Sequence, residues 1–164
     1  WTYRYDPAGR LEAEVDPLGN EETYQYDGAG RRTHRTDRNG ATWEWRYDAA
    51  GRLEREIDGL EQAEIYKYDA RGNRIERIDR NAKVWKQQFD AAGRMYKDID
   101  ALGQAEIFEF DGAGQITARI DRNGARWEMD YDAAGRLQET RSPSVAVATL
   151  GADGTVQLTP RAIR

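Results

Sequence analysis

Apolar and polar residues alternate one by one along most of the chain. In one class of segment Leu11, Ala13 and Val15 fall two apart, as do Ile116, Ala118 and Ile120, and Leu53 with Ile57 and Met95 with Ile99 keep the same parity. The intervening positions are charged, as in Arg10, Glu12 and Glu14 or Arg52, Glu54 and Glu56. A second class carries rings at the alternate positions: Tyr3 and Tyr5, Tyr24 and Tyr26, Trp43, Trp45 and Tyr47, Tyr66 and Tyr68, Trp85 and Phe89, Phe108 and Phe110, Trp127 and Tyr131. A period of two sends neighbouring side chains to opposite faces of a strand, so both classes predict half-buried β-strands.

The segments are separated by a regular turn signal. Aspartates fall at Asp6, Asp16, Asp27, Asp37, Asp48, Asp58, Asp69, Asp79, Asp90, Asp100, Asp111, Asp121 and Asp132, with spacings that alternate between 10 and 11. Three residues later comes glycine in eleven of the thirteen cases: Gly9, Gly19, Gly30, Gly40, Gly51, Gly72, Gly93, Gly103, Gly114, Gly124 and Gly135. Glu61 and Ala82 are the exceptions. Asp suits the first position of a type I turn, Pro the second (Pro7, Pro17), and Gly the left-handed position that follows. A type I turn closed by a glycine bulge joins antiparallel strands. Segments of six or seven residues between such turns predict an all-β chain, an antiparallel meander of repeated β-hairpins.

A second period of 42 overlies the first, in Trp1, Trp43, Trp85 and Trp127 and in the Asp-Arg-Asn turns at Asp37, Asp79 and Asp121. The repeating unit is therefore four strands. So wide a meander is expected to coil, because twisted sheets do not stay flat. The aromatic face is expected to turn inward with ring stacked on ring across strands, and the charged face to turn to water. The array is predicted over residues 1–141. Residues 142–164 drift from the pattern, although Ser142-Pro143 and Asp153-Gly154 fall where the count places the next two turns, and this tail reads as degenerate repeat or junction.

Composition fits a thin, folded sheet. Charged residues reach 34% and hydrophobic residues only 38%, yet five Trp, nine Tyr and three Phe are present, which disordered chains lack. The formal net charge of -5, with acidic and basic residues interspersed, argues against a nucleic-acid partner, since that affinity needs clustered Lys and Arg. No run of apolar residues is long enough to span a membrane as a helix, and no signal peptide is visible. Cysteine is absent, which removes disulfides and thiolate metal sites.

The phrases Tyr5-Asp6-Pro7-Ala8-Gly9-Arg10-Leu11, Tyr47-Asp48-Ala49-Ala50-Gly51-Arg52-Leu53 and Tyr131-Asp132-Ala133-Ala134-Gly135-Arg136-Leu137 resemble the YD repeat of the Rhs family. The likeness covers residues 1 to about 141 in thirteen in-frame copies. It implies a long sheet that spirals into a hollow cocoon. In bacterial Rhs polymorphic toxins and insecticidal toxin complexes that cocoon encloses a C-terminal toxin domain; related shells occur in extracellular adhesion proteins. On this resemblance the chain is expected to be a structural section of a secreted or cell-surface shell, with no catalysis and no cofactor. Its expected partners are the rest of the parent shell, an enclosed toxin domain, and a secretion apparatus or chaperone. An adhesion or carbohydrate-binding module is the alternative. The glycine-rich Asp-Pro-x-Gly-Leu type segment that ends family cores is missing, and the chain opens in mid-repeat, so a segment of a longer protein is expected.

Chemistry-bearing residues are few. His34 is the one histidine, and the two serines, Ser142 and Ser144, both lie in the tail, which makes a Ser-His-Asp arrangement unexpected. Asp37-Arg38-Asn39-Gly40 resembles a calcium loop only in its first residues and lacks the further oxygen ligands. Carboxylate pairs such as Glu12 and Glu14 are unavoidable among 30 acidic residues. The residues singled out are therefore structural. They are the turn pairs Asp6 and Gly9, Asp27 and Gly30, Asp48 and Gly51, Asp90 and Gly93, Asp111 and Gly114, and Asp132 and Gly135. With them goes the aromatic ladder from Tyr24 to Tyr131.

Overall fold

The computed structural model describes residues 1–150 and 156–162, and none of these is helical. Two compact units divide the chain. The first, Trp1–Trp85, holds β1 (Thr2–Tyr5), β2 (Leu11–Val15), β3 (Glu21–Tyr26), β4 (Arg32–Thr36), β5 (Thr42–Tyr47), β6 (Leu53–Ile57), β7 (Ala63–Tyr68) and β8 (Arg74–Ile78). The unit boundary falls inside β9 (Val84–Phe89). The second, Lys86–Arg164, continues with β10 (Met95–Ile99), β11 (Ala105–Phe110), β12 (Ile116–Ile120), β13 (Arg126–Tyr131), β14 (Leu137–Arg141), β15 (Ser144–Leu150) and β16 (Val156–Ala162). Strands β1 to β14 form one sheet in chain order, whereas β15 and β16 pair antiparallel in a separate two-stranded sheet. The expected turn at Asp153-Gly154 lies outside the described residues.

Each of the thirteen turns is closed the same way. The Asp N–H donates to the carbonyl of the fifth residue and the fourth residue's N–H donates back to the Asp carbonyl, at 2.8–3.1 Å. The glycines in fourth position take φ between +77° and +94°. Glu61 and Ala82 are held in the same left-handed region, at +63° and +59°, without the freedom that lacking a β-carbon gives. The Asp carboxylate secures the loop from inside: at Asp27 its Oδ1 accepts the N–H groups of Ala29 and Arg31, both at 2.9 Å, and every turn repeats the pair.

The hairpins are of two kinds. Those from an even to an odd strand run in plain register, as in Ala13↔Thr23, Glu14↔Glu22 and Val15↔Glu21. Those from an odd to an even strand carry a bulge, where Arg4 pairs with Ala13 but Tyr5 pairs with Leu11, leaving Glu12 extra. The same slip recurs in the β3–β4, β5–β6, β7–β8, β9–β10, β11–β12 and β13–β14 pairs.

That bulge corrects the expected division into a greasy and a wet face. Without it Tyr3 would pair with Ala13, and rings and aliphatics would share a side; with it Tyr3 pairs with Glu14, and a one-residue slip exchanges the faces. In the first unit the ring face therefore also carries Glu14, Glu22, Arg35, Glu56, Glu64 and Arg77. Ala13, Ile57, Ala63, Ile65 and Ile78 lie on the opposite face among Gln25, His34 and Lys67. Neither side has a thick core. Among the described residues Ala13 and Ala118 are the fully covered apolar side chains, and no large side chain is fully buried. Stability in such a sheet rests on contacts between neighbouring strands.

Candidate functional site

Along one rim of the sheet, four turns are tied to the next turn on the same rim. The residue after the glycine is arginine in several copies, and Arg10 donates from Nε to Asp6 Oδ2 at 2.6 Å and from Nη1 to the Asp27 carbonyl at 2.9 Å. Its guanidinium also lies over the Tyr26 ring, 4.9 Å from the centroid. Arg52 repeats all three contacts with Asp48, the Asp69 carbonyl and Tyr68, and Arg94 with Asp90, the Asp111 carbonyl and Phe110. Arg31 binds Asp27 and covers Tyr47. Asn73 takes the arginine's place at Asp69, and Gln115 sits after Gly114 and donates to the Gly135 carbonyl at 2.7 Å. These bonds hold the carboxyls of Asp6, Asp27, Asp48, Asp90 and Asp132 below the ordinary carboxylate value. At Asp6 the Arg10 backbone N–H is the largest cause; at Asp27 partial burial opposes the shift but is outweighed.

The tyrosine that ends β3, β5, β7 and β13 has a second task. Tyr26 donates its hydroxyl proton to the Leu11 carbonyl at 2.9 Å, Tyr47 to Arg32 at 3.0 Å, Tyr68 to Leu53 at 2.8 Å and Tyr131 to Ile116 at 3.0 Å. Each acceptor flanks a bulge, where one residue has no opposite number in the ladder, so the tyrosine supplies the missing partner. Phe89 and Phe110 stand at the equivalent positions without a hydroxyl.

The upper rungs of the ladder do not stack ring on ring, contrary to the sequence expectation. An even strand lies between successive odd strands, and the bulge brings its arginine onto the ring face. Tyr24 pairs with Arg35, which covers Trp43 at 4.7 Å; Tyr66 pairs with Arg77, which covers Trp85 at 4.8 Å; Phe108 pairs with Arg119, which covers Trp127 at 5.6 Å. Trp45 sits opposite Glu56 and Phe89 opposite Met95. Each guanidinium–ring contact contributes roughly 0.5–1 kcal/mol at partly exposed sites.

The most enzyme-like cluster centres on Glu22, which is 7% exposed. It accepts from Tyr24 at 2.9 Å and from Arg35 at 2.5 Å, and forms an ion pair with Arg38 at 3.3 Å. Burial pushes the Glu22 carboxyl up, but the hydrogen bonds from Arg35 and Tyr24 prevail and hold it below its ordinary value. A carboxylate locked in its charged form beside two arginines is a poor proton shuttle. Glu64 with Tyr66, Arg77 and Arg80, and Glu106 with Arg119 and Arg122, repeat the cluster at the 42-residue period. These Glu and Arg rows were missed as a unit, although their recurrence at Glu22, Glu64 and Glu106 and at Arg35, Arg77 and Arg119 was legible.

The remaining candidates stay apart. His34 lies between Gln25 and Glu44 and its described hydrogen bond is with Thr33, at 3.2 Å. Asp37 directs its carboxylate to the N–H groups of Asn39 and Ala41. Among the described residues no three His, Cys, Asp or Glu side chains gather as a metal site would require. A shallow groove is lined by Ala41, Trp43, Asp58, Gly59, Leu60 and Arg80.

The family described as RHS Repeat matches residues 5–42, 26–61 and 110–144, more than half of the chain. No protein of curated function matches it. Among solved structures, TcdB2-TccC3 is similar at 15% identity and a TM-score of 0.61, over 95% of this chain and 10% of that one. TcdB2-TccC3 without its hypervariable C-terminal region gives 12% identity and 0.59, over 87% and 9%. A mutant of the Photorhabdus luminescens Tc holotoxin pore gives 17% and 0.59, over 96% and 9%. The chain thus spans about a tenth of the length of the structures whose fold it shares.

Proposed function

The chain belongs to the RHS repeat family, and on that premise we propose that it is a section of the wall of a YD-repeat cocoon that encloses a C-terminal toxin domain until delivery. One observation carries the reading: the polar and aromatic side chains that recur are bound to the neighbouring strand or turn. Asp6, Arg10, Tyr26, Glu22 and Arg35 all hold the sheet together, which suits a wall better than a reaction centre. In this role the chain has no catalysis of its own. Its partners are the flanking parts of the parent shell and the cargo, with a secretion apparatus or chaperone acting on the whole, and its place is outside the producing cell or on its surface. Limited proteolysis of the full-length parent tests enclosure. A C-terminal domain protected until the repeat wall is cut is the expected result; cleavage as fast as that of the isolated domain refutes it.

The groove beside Trp43 keeps an adhesion or carbohydrate-binding reading in play. Binding on a glycan array that Trp43→Ala abolishes would favour it, and no binding by the intact chain removes it.

A further inference from the structure

The arginines described above are held by the sheet, and Arg55, in the middle of β6, is an exception. It makes no hydrogen bond, ion pair or ring contact among the described residues, and its Nε–H is covered without an acceptor. Arg38 also has a covered Nε–H, but its terminal nitrogens pair with Glu14 and Glu22. The register sets Arg55 directly opposite Arg46 on one side and Ile65 on the other, on the face away from the rings. Like charges opposed across an antiparallel pair repel, and a covered donor without an acceptor costs stability. Arg46 is relieved by Glu44, two positions back, whereas Arg55 has no such acid.

The copy one period earlier shows that the repeat does not require this charge. There Arg4 pairs with Ala13, which is fully covered, and the Arg4 guanidinium is bonded to Glu21. In the second copy Arg55 replaces that alanine and Ala63 replaces that glutamate, while Glu44 replaces Thr2. Glu44, Arg46 and Arg55 are thus left with one positive charge in excess, where Arg4 and Glu21 balance. The Arg46 hydrogen bond, aided by the charges of His34 and Arg55 and opposed by burial, holds the Glu44 carboxyl below its ordinary value, so the acid stays ionised and engaged with Arg46. The second unit repeats the pattern with lysines. Lys97 stands between Gln88 and Ile107, Lys86 stands opposite Ile99, and neither lysine makes a hydrogen bond or ion pair among the described residues. We propose that this face docks acidic polypeptide segments, whose carboxylates pair with Arg55 in the first unit and with Lys97 in the second. The planar guanidinium donates to both oxygens of a carboxylate at once, and Ile57 and Ile65 offer apolar surface beside the charge. Residues that break the local rules of a fold at a cost in stability are those expected to serve a partner. The docking is independent of enclosure, so the proteolysis result leaves it standing or falling on its own test.

The test titrates the intact chain with a labelled poly-L-glutamate peptide at low ionic strength and follows fluorescence anisotropy. Saturable binding is expected, weakened roughly five- to tenfold by Arg55→Leu. Lys83→Gln removes the same charge from an exposed position beside the Asp79 turn and is expected to change the affinity less than about twofold. In proton–nitrogen correlation spectra the Arg55 Nε–H resonance is expected to shift and saturate with the peptide. Without peptide, Arg55→Leu is expected to raise the melting temperature by roughly 2–4 °C, because it relieves the repulsion from Arg46 and removes the unpaired donor. Absence of saturable binding overturns the inference, and so does a Lys83→Gln loss as large as that of Arg55→Leu, which would mean diffuse attraction. Displacement of the peptide by inorganic phosphate at equal charge overturns it in favour of a small-anion site. A lowered melting temperature for Arg55→Leu overturns it too, since Arg55 would then be part of the sheet's own support.

Discussion

Glu61 and Ala82 allow backbone strain to be measured almost free of other effects. Both occupy the fourth turn position at φ near +60°, which eleven copies reserve for glycine, and both are solvent-exposed. A side chain in this region costs roughly 1–2 kcal/mol, whereas glycine gives back about 0.4–1 kcal/mol through the greater freedom of the unfolded chain. The balance favours Glu61→Gly and Ala82→Gly by about 0.5–1 kcal/mol each. The two turns are joined by the Arg80–Asp58 ion pair at 3.1 Å, in which neither substituted side chain takes part, so the double variant should gain about 1–2 kcal/mol, or roughly 2–8 °C in melting temperature for a chain of this size. The mirror experiment is Gly40→Ala and Gly124→Ala. A β-carbon at either site meets nothing within 4 Å, so the backbone penalty alone should appear, as a loss of similar size. Gly51 would be a poor choice, because a β-carbon there would lie 2.6 Å from Arg31 Nη1. Differential scanning calorimetry gives the melting temperatures, and amide exchange at Asp58 and Asp79, whose N–H groups close the two turns, localises the effect. Unchanged or lowered melting temperatures for both glycine variants, with neutral alanine variants, would show that the left-handed position carries no strain.

Removing the hydroxyl in Tyr26→Phe should cost about 1 kcal/mol, and Phe110→Tyr should gain a comparable amount by reaching the Met95 carbonyl; equal melting temperatures in both directions would deny the hydroxyl its part at the bulge. Arg52→Ala should lower stability by roughly 1–2 kcal/mol, and Arg52→Lys should restore little of it, because only the planar fork spans the Asp48 carboxylate, the Asp69 carbonyl and the Tyr68 ring at once; full rescue by lysine in thermal melts would contradict this. The lowered carboxyls of Asp6, Asp27, Asp48, Asp90 and Asp132 give acid sensitivity of a definite sign. Their contribution is complete above their ordinary value of 3.8 and is lost as pH falls through the still lower folded values, so chemical-denaturation midpoints should drop below about pH 4 and Asp48→Asn should flatten the drop.

The turns and strands were legible because their causes are local. Asp27 folds its own loop with its own carboxylate, and Gly30 meets a demand fixed within four residues. What period-two alternation could not reveal was which strands' faces coincide, since that depends on register across the hairpin. A plain register would have set Tyr3 beside Ala13; the slip at Tyr5 and Leu11 sets it beside Glu14 instead, and with that single step the rings exchange aliphatic neighbours for Arg35, Arg77 and Arg119. The alternation of 10 and 11 hinted that the two hairpin kinds differ, but not where the slip would sit. The aromatic spacing, which suggested stacked rings, is in physical terms the spacing of rings interleaved with guanidinium groups.

The short reach of the polar contacts has a consequence for how such chains change length over generations. Hydrogen bonds and ion pairs among the described residues extend no further than 24 positions along the chain, as from Arg38 to Glu14, Arg80 to Glu56 and Arg122 to Asp98. The 42-residue period exceeds that reach, so genetic recombination that inserts or drops one whole period rejoins like with like: a tyrosine still finds its carbonyl, an arginine its ring. The slips and the tyrosine–carbonyl bonds recur every 21 residues, so an excision that is not a multiple of that half-period would misalign them and strip those partners, and the gene is thereby expected to grow or shrink in whole hairpin strides.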